Sequence, residues 1–286
     1  VSKAQPSSYD ELALTFDGAS EPVGWSAQPT VFSRARALGA RAGLIGWYHP
    51  YCRIIGNDLN RCSFTLIPSP ENARIQSISQ SMFWHFRTIS LVTAPLVREV
   101  FPKSFESDDN WKFTYVENLK RIDRESVEAA ADGALSLVML HFPAPHTPYL
   151  YDRRKDDFNL NGGNYFDNLE LVDRIFGDLR RAMEQAELWD DTVVLVSSDH
   201  WWRTDIWPKD KSWTEEEQAI VSESADHRVP FILKLKRQKE NVIYNTSFNT
   251  VLSQDLLLAT LRGELSAPED VTAWLDQHRS IEKSPY

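Results

Sequence analysis

Asp199 and His200 are adjacent residues whose side chains can bind the same divalent cation. They directly follow an apolar run at residues 192–197. A carboxylate oxygen and an imidazole nitrogen suit one ion, provided that the chain turns after the run so that both side chains face one way. An aspartate that caps the next segment beside a half-buried histidine is the ordinary explanation of such a pair on its own. Its position after an apolar strand favours the metal site.

Two further histidines, His141 and His146, lie in the segment HFPAPHTPY, where three prolines restrict the backbone. A restricted loop can hold an imidazole ring in a fixed orientation toward an anion or a leaving group. His227 and Arg228 precede the apolar run at 229–235 and can place a donor or a positive charge over the same anion. Each of these residues alone is better explained by a structural or solvated role. The hypothesis therefore depends on the three segments acting together.

Most of these polar residues follow predicted strands in an alternating α/β pattern. The predicted strands lie at residues 42–47, 135–142, 192–197 and 229–235, and apolar residues at helical spacing predict helices at 30–39, 164–188 and 248–262. Residues 75–101 are predicted to form broken helices, and 103–110 a loop. Ligand sites of open α/β sheets lie beyond the carboxyl ends of strands, where Asp199 and His200 fall. His227 precedes its strand, so it lies either in a loop over the same edge or before an antiparallel strand.

Composition and charge exclude several classes of function. The 286 residues are 42% hydrophobic and 25% charged, which allows one large globular core. A net charge of -10 argues against nucleic-acid binding, which depends on clustered Lys and Arg. Charged residues and a proline interrupt the most apolar stretch, residues 82–101, so no membrane span is predicted. The first residues have no basic region followed by an apolar run, so no signal peptide is predicted there, and a periplasmic, extracellular or cytoplasmic location stays open.

An aromatic loop and two cysteines follow the predicted strand 42–47. The loop, residues 48–53, can line a substrate cleft or be held in place by its own aromatic packing. Cys52 and Cys62 are as compatible with a disulfide as with two reduced thiols.

Three motifs follow one another in a distinctive order: HFPAPHTPY, then NYFDNLELVDRIFGDLRRAMEQAELWDDTVVLVSSDH, then HRVPFILK. This order resembles the C-terminal half of sulfatases and their relatives in the alkaline-phosphatase superfamily. In that family a Pro-His-x-Pro loop precedes a helix, a WDDT turn, a strand ending in Asp-His or Asp-Asn, and a strand that opens with a basic residue before Val-Pro. The resemblance covers residues 30–263, and its most specific part is 165–200.

The resemblance implies a fold, a cofactor and site residues. The fold would be an alkaline-phosphatase-like α/β sandwich with a mostly parallel central sheet flanked by helices. Asp199 and His200 would bind one divalent metal ion, with calcium favoured over manganese or zinc. His146, together with His141, would contact the ester and protonate its leaving group. The remaining implied contacts to the ester oxygens are those of His227 and Arg228.

The chain also departs from the family pattern. Family members begin with a strand that ends in a metal-binding aspartate and is followed by a Cys, Ser or Thr nucleophile. No such strand is predicted before Thr30, the contexts of Cys52 and Cys62 do not fit, and Thr93 lies too late in the chain. Trp201 and Trp202 stand where the family often has glycine, which makes the rim of the pocket bulkier. We therefore expect residues 1–286 to form one α/β domain, incomplete at its N-terminus, that is inactive and poorly soluble when made alone.

The predicted function is metal-dependent hydrolysis of sulfate esters on a small molecule or a glycan. A phosphodiesterase or phosphoethanolamine-type transferase of the same superfamily is the alternative, as is a non-catalytic relative that keeps the fold.

Overall fold

A computed structural model describes residues 3–8, 11–66, 109–203, 213–221 and 227–279. Its strands are β1 (Lys3–Ser8), β2 (Glu11–Thr15), β3 (Val23–Gly24), β4 (Ala42–Trp47), β5 (Arg61–Thr65), β6 (Leu137–Leu140), β7 (Tyr151–Asp152), β8 (Asp157–Phe158), β9 (Val194–Ser197) and β10 (Phe231–Lys234). Its α-helices are α1 (Val31–Ala37), α2 (Tyr51–Ile54), α3 (Asp109–Ala130), α4 (Tyr165–Gln185), α5 (Glu215–Ile220), α6 (Ser253–Leu261) and α7 (Pro268–His278). This mixture confirms the predicted α/β class, and the predicted broken helices at 75–101 lie outside the described residues.

A three-stranded parallel sheet has the strand order β5-β4-β6. All six residues of the central strand β4 are buried. Because alternate residues of a strand face opposite sides, Ile45 and Trp47 pack into the cluster formed by α3 and α4, whereas Ala42 and Leu44 pack with Phe32 of α1. Burial on both faces explains why β4 is apolar without alternation.

Helices α1 and α4 begin where the sequence predicts. The Thr30 side chain accepts a hydrogen bond from the Ser33 amide at 3.1 Å, and Gly39, which follows the helix, has a φ of +82° that favours glycine. The Asn164 side chain accepts from the Asp167 amide at 2.9 Å at the start of α4. The apolar residues that α4 buries lie four positions apart: Leu171, Ile175, Leu179 and Met183.

Helix α3 was not predicted from the sequence. It begins at Asp109, so the end of the predicted loop at 103–110 is wrong, and the rest of that loop lies outside the described residues. Tyr115, Leu119 and Ile122 bury one side of α3 against α4 and β4, while charged residues between them obscure the apolar period. No helix in the described ranges is both long enough and apolar enough to cross a membrane.

Strands β9 and β10 form an antiparallel pair. Ser197 at the end of β9 pairs with Phe231 at the start of β10. The chain that leaves β9 and the chain that enters β10 therefore lie at the same end of the pair. This orientation answers the question that the sequence left open, because His227 precedes an antiparallel strand and still lies at the end where β9 releases Asp199.

Strands β6 and β9 are less buried than the sequence predicts. Met139 in β6 is 41% exposed, and the apolar residues of β9 are only half-buried. In the described part of the chain β6 pairs only with β4, and β9 only with β10, so each has an open edge there. The prediction of fully buried strands is wrong because a short apolar run does not distinguish an interior strand from a partly covered one.

The two ends of the described chain add smaller units. Strands β1, β2 and β3 form an antiparallel sheet, and none of them ends in an aspartate. Near the other end, α6 and α7 pack on β10 around Leu235 and Leu256. The predicted helix at 248–262 begins only at Ser253, because the Asn249 side chain accepts from the Val251 amide at 3.0 Å and holds a short 3-10 turn instead.

A disulfide joins Cys52 in α2 to Cys62 in β5. It closes a loop with a sequence separation of 10 and ties the aromatic loop after β4 to the neighbouring strand. The question of pairing that the sequence left open is thereby answered.

We expect replacement of both cysteines by serine to lower the free energy of unfolding by about 2–3 kcal/mol, because a short cross-linked loop restricts the unfolded chain. Urea unfolding of the Cys52→Ser/Cys62→Ser variant, compared with the oxidised and reduced parent protein, measures the effect. The reduced parent should match the variant. Equal stability of all three forms would contradict the prediction.

Candidate functional site

Strands β4 and β6 are parallel, so their C-terminal ends lie at the same edge of the sheet. Ile45 of β4 lies opposite Leu140 of β6, and the His141 amide donates to the Ile45 carbonyl at 2.9 Å. Residues that follow β4 and β6 are therefore neighbours. The hydroxyl of Tyr51, the first residue of α2 after β4, lies 2.7 Å from Nδ1 of His141.

The proline-rich loop after β6 also approaches the chain that leaves β9. The ring centroids of His146 and His200 are 6.2 Å apart, with the rings nearly perpendicular. Nδ1 of His146 donates to the Thr147 carbonyl at 2.8 Å, and Nδ1 of His200 donates to the Trp201 carbonyl at 2.7 Å. Because a carbonyl oxygen only accepts, each Nδ1 carries the proton, and Nε2 of the neutral ring has the free lone pair.

Asp199 adds a carboxylate to this group of residues. Its Oδ1 lies 3.9 Å from Nε2 of His200, and its side chain is 76% exposed. Burial raises the pKa of Tyr51 and lowers the pKa of His141, and in both residues the smaller effect of the Asp199 charge is to raise the pKa. Asp199 therefore lies close enough to Tyr51 and His141 for its charge to act on both.

His141 is held by its surroundings. Burial lowers the pKa of His141, and the nearby His49 lowers it further, while the Asp199 charge and a hydrogen bond with the Trp47 backbone act in the opposite direction. Burial, followed by the Asp199 charge, raises the pKa of Tyr51 to about 12. Tyr51 therefore keeps its proton at neutral pH and can donate it in the hydrogen bond to Nδ1 of His141.

The predicted substrate-binding pair lies before β10. The His227 ring stacks on Trp201, with 4.2 Å between the ring centroids and 22° between the planes. Trp201 directly follows His200, so this stacking brings His227 next to the Asp199-His200 turn. Both His227 and Arg228 are exposed. The structure thus brings His146, His200, Asp199 and His227 into one region, with Arg228 adjacent in sequence.

A comparison with protein families gives a match over a large part of the chain. The family model described as Sulfatase matches residues 93–263, which is more than half of the 286 residues. The chain belongs to the sulfatase family. The match ends at the residue expected from the motifs and begins later than the expected residue 30. A search of curated proteins gave no match.

Sulfatase-family proteins generally use a divalent metal, so the Asp199-His200 turn can be tested as a metal site. Two atoms that each lie about 2.1 Å from one ion are at most ~4.2 Å apart, and the 3.9 Å between Asp199 Oδ1 and His200 Nε2 is within that limit. The lone pair on Nε2 and the exposed carboxylate are the required donors. The two residues therefore fit a metal, but only as part of a larger ligand set. Within the described ranges no group of three or more potential ligands occurs.

Neither cysteine of this sulfatase-family chain provides a nucleophilic thiol, because Cys52 and Cys62 are bonded to each other. This agrees with their sequence contexts, which lack the cysteine motif of the family. Thr93, the other residue considered, lies outside the described residues.

Two residues near the site, Asn168 and Glu217, were not predicted from the sequence, and Tyr51 was predicted only as part of the aromatic loop at 48–53. Tyr51 contacts His141, Asn168 contacts the loop that carries His146, and Glu217 contacts the first residue of α4. The buried side chains of Asn168 and Glu217 are 2% and 1% exposed. A signal for Tyr51 existed, since it follows β4 at the edge where ligands bind. Asn168 and Glu217 look like ordinary polar positions of helices in the sequence.

The stability of the protein should fall as the pH drops below the usual range for histidine. Because burial lowers the pKa of His141 in the folded state, the unfolded state binds a proton at His141 first. The stabilisation is complete above the unfolded pKa of about 6.5 and is lost as the pH falls toward the lower pKa of the folded state. Replacement of His141 by Gln should reduce this dependence. Urea unfolding of both proteins at roughly pH 5 to 8 measures it, and parallel curves would refute the assignment to His141.

Proposed function

We propose that this sulfatase-family protein hydrolyses sulfate esters of a small molecule or a glycan with the help of one divalent metal ion. The observation that carries the proposal is the approach of His146 to His200, with ring centroids 6.2 Å apart, beside the exposed carboxylate of Asp199. With the proposed roles, His146 would be a proton donor next to a pair of metal ligands. The net reaction breaks the ester S–O bond and consumes one water molecule.

Asp199 and His200 would hold the metal through Oδ1 and Nε2, with further ligands from residues outside the described ranges. Calcium is the first candidate, and manganese or zinc are the others. A bound divalent ion would stabilise the negative charge that develops on the ester oxygens. The hydrogen bond from Nδ1 of His200 to the Trp201 carbonyl would leave Nε2 available to hold the ion.

His146 would supply the proton for the leaving oxygen. Its Nδ1–H is engaged by the Thr147 carbonyl, so the proton that can be transferred is the one on Nε2 of the imidazolium form. When the S–O bond breaks, this proton passes to the alcohol oxygen and His146 becomes neutral. The exposed position of His146 allows it to recover a proton from solvent.

The remaining predicted residues would bind the ester. His141, which the hydroxyl of Tyr51 holds at Nδ1, lies at the same edge and would contact the ester beside His146. His227 and Arg228 would place donors and positive charge near the ester oxygens, with Trp201 supporting the His227 ring. Positive charge is needed there because the protein as a whole carries a net charge of -10.

The direct test is turnover by the full-length gene product. We expect hydrolysis of an aryl sulfate that depends on added Ca²⁺, Mn²⁺ or Zn²⁺ and disappears with a chelator. Release of the alcohol from an aryl phosphodiester instead would favour the phosphodiesterase or transferase alternative, and transfer of the phosphoryl group to an added acceptor alcohol would separate those two. Absence of turnover on every probe with every metal would favour a non-catalytic relative.

A further inference from the structure

We propose that the first turn of helix α4 is a positioning hub that sets the relative placement of the two histidine-bearing segments of the site. One segment is the proline-rich loop with His146, and the other is the chain that leaves β9 with His200. The hub consists of Tyr165 and Asn168, together with Glu217 of α5, which contacts Tyr165. The inference rests on the proposed function for its catalytic consequence, whereas its structural part stands on the contacts themselves.

The side chain of Asn168 donates hydrogen bonds to the loop that carries His146. Its amide Nδ2 lies 3.0 Å from the His146 carbonyl, 3.3 Å from the Pro148 carbonyl and 3.5 Å from the Pro145 carbonyl. Asn168 is 2% exposed, so water cannot replace these contacts freely. Its Oδ1 is buried without a hydrogen-bond partner within the described ranges. The side chain therefore acts mainly as a donor toward the loop.

Glu217 fixes α5 to the start of α4. Its Oε1 accepts a hydrogen bond from the Tyr165 amide at 2.9 Å, and its Oε2 accepts from the Thr214 amide at 2.7 Å and the Thr214 hydroxyl at 2.9 Å. The first amides of a helix have no partner within the helix, and the helix dipole favours a negative charge beside them. Glu217 is only 1% exposed, so its hydrogen bonds to the start of α4 and to Thr214 are shielded from water.

Trp202 completes the attachment on the other side of Tyr165. The two rings are stacked, with centroids 4.2 Å apart and 6° between their planes. Trp202 lies two residues after His200, so the stacking holds the chain just beyond the proposed metal ligands. Trp213, which precedes α5, lies 6.1 Å from Trp202 between ring centroids. Tyr165 is thus linked by its ring to the chain after β9 and by its amide to α5.

These contacts have a geometric consequence. Tyr165 and Asn168 are three residues apart on one helix, so they lie on the same face and move as one rigid body. One attaches the segment with His200, and the other attaches the loop with His146. Besides the direct approach of the two rings, whose centroids are 6.2 Å apart, α4 therefore links the two segments through a shared rigid body.

Replacement of Glu217 should change metal affinity, whereas replacement of Asn168 should change the rate of turnover. For Glu217→Gln, which keeps the side-chain shape, we expect Mn²⁺ affinity by calorimetry to fall about 10- to 100-fold, as for other residues that orient metal ligands. For Asn168→Asp, which opposes three carbonyl oxygens with a negative charge, we expect kcat for an aryl sulfate to fall about 10- to 100-fold, while KM and Mn²⁺ affinity stay within about threefold. Matched controls are Glu215→Gln in the same turn of α5 and Leu169→Ala on the more exposed side of α4.

Amide hydrogen exchange separates failure of the hub from failure of the proposed function, because it needs no turnover. Glu217→Gln should accelerate exchange of the Tyr165 amide and of residues 213–221, and Asn168→Asp should accelerate exchange of the loop at 141–149. The controls should leave both unchanged. Unchanged exchange in both hub variants, with a folded circular dichroism spectrum, would overturn the inference. Accelerated exchange in a protein that turns over no probe would support the structural hub and contradict the proposed enzymatic function. If Asn168→Asp does not fold, the milder Asn168→Ser takes its place, with the same expected pattern.

Discussion

Replacement of Asp199 by Ala should reduce metal-dependent turnover of an aryl ester to background, a loss on the order of 10³-fold or more. The reason is that the carboxylate would provide one of the two proposed donor atoms, and a bound metal ion would contribute several kcal/mol of charge stabilisation in the transition state. Oδ1 of Asp199 lies 3.9 Å from Nε2 of His200, a separation that one ion can bridge. The loss should appear in kcat/KM at every metal concentration that supports the parent protein.

The control for Asp199 lies in the loop that leads into the same strand. Asp191 is also an exposed aspartate, and its carboxylate forms an ion pair with Arg237, 2.8 Å away, outside the site. Replacement of Asp191 by Ala should leave turnover within about twofold, because an exposed ion pair contributes little to stability. If Asp199→Ala and Asp191→Ala had the same activity, Asp199 would not be a metal ligand.

Replacement of His146 by Ala should slow turnover by about 10²–10⁴-fold while leaving metal affinity unchanged, as expected for loss of a general acid. The residue is exposed at the site, and its Nδ1 is engaged by the Thr147 carbonyl, so only Nε2 can serve the leaving group. The loss should be largest for esters with a basic leaving group, because an aryl oxide that is already stable needs no proton. A series of aryl sulfates with different leaving-group acidity measures this slope, and added imidazole should restore part of the activity.

His278 is the matched control for His146. Its Nδ1 also donates to a carbonyl, that of Trp274 at 2.7 Å, but it lies at the end of α7. His278→Ala should retain the activity of the parent protein. A His146 variant with the parent slope against leaving-group acidity would exclude the general-acid role even if its overall rate were lower.

The sequence was most informative where a local pattern dictates a local structure. The all-apolar run at 42–47 predicted a buried strand, and apolar residues at helical spacing predicted helices from 30 and 164, where Thr30 and Asn164 cap α1 and α4 in the structure. These outcomes depend on residues within a few positions of each other, so no knowledge of the tertiary structure was needed. Helix α3 was not predicted because charged residues interrupt its apolar positions along the sequence. Only the packing against β4 and α4 shows that the apolar residues form one buried face.

The sequence by itself determined the α/β class, the sulfatase-type order of motifs and the candidate residues of the site, since these depend on residue types and on spacing along the chain. Only the tertiary structure decided that β9 and β10 are antiparallel, that Cys52 and Cys62 are bonded, and that one helix contacts both histidine-bearing segments. Tyr51 contacts His141 across a sequence distance of 90 residues, and Tyr165 contacts Glu217 across 52. Contacts of this kind produce no periodic pattern in the sequence. Each residue fits the helix or loop that contains it, and only the packing of strands and helices brings the two partners together.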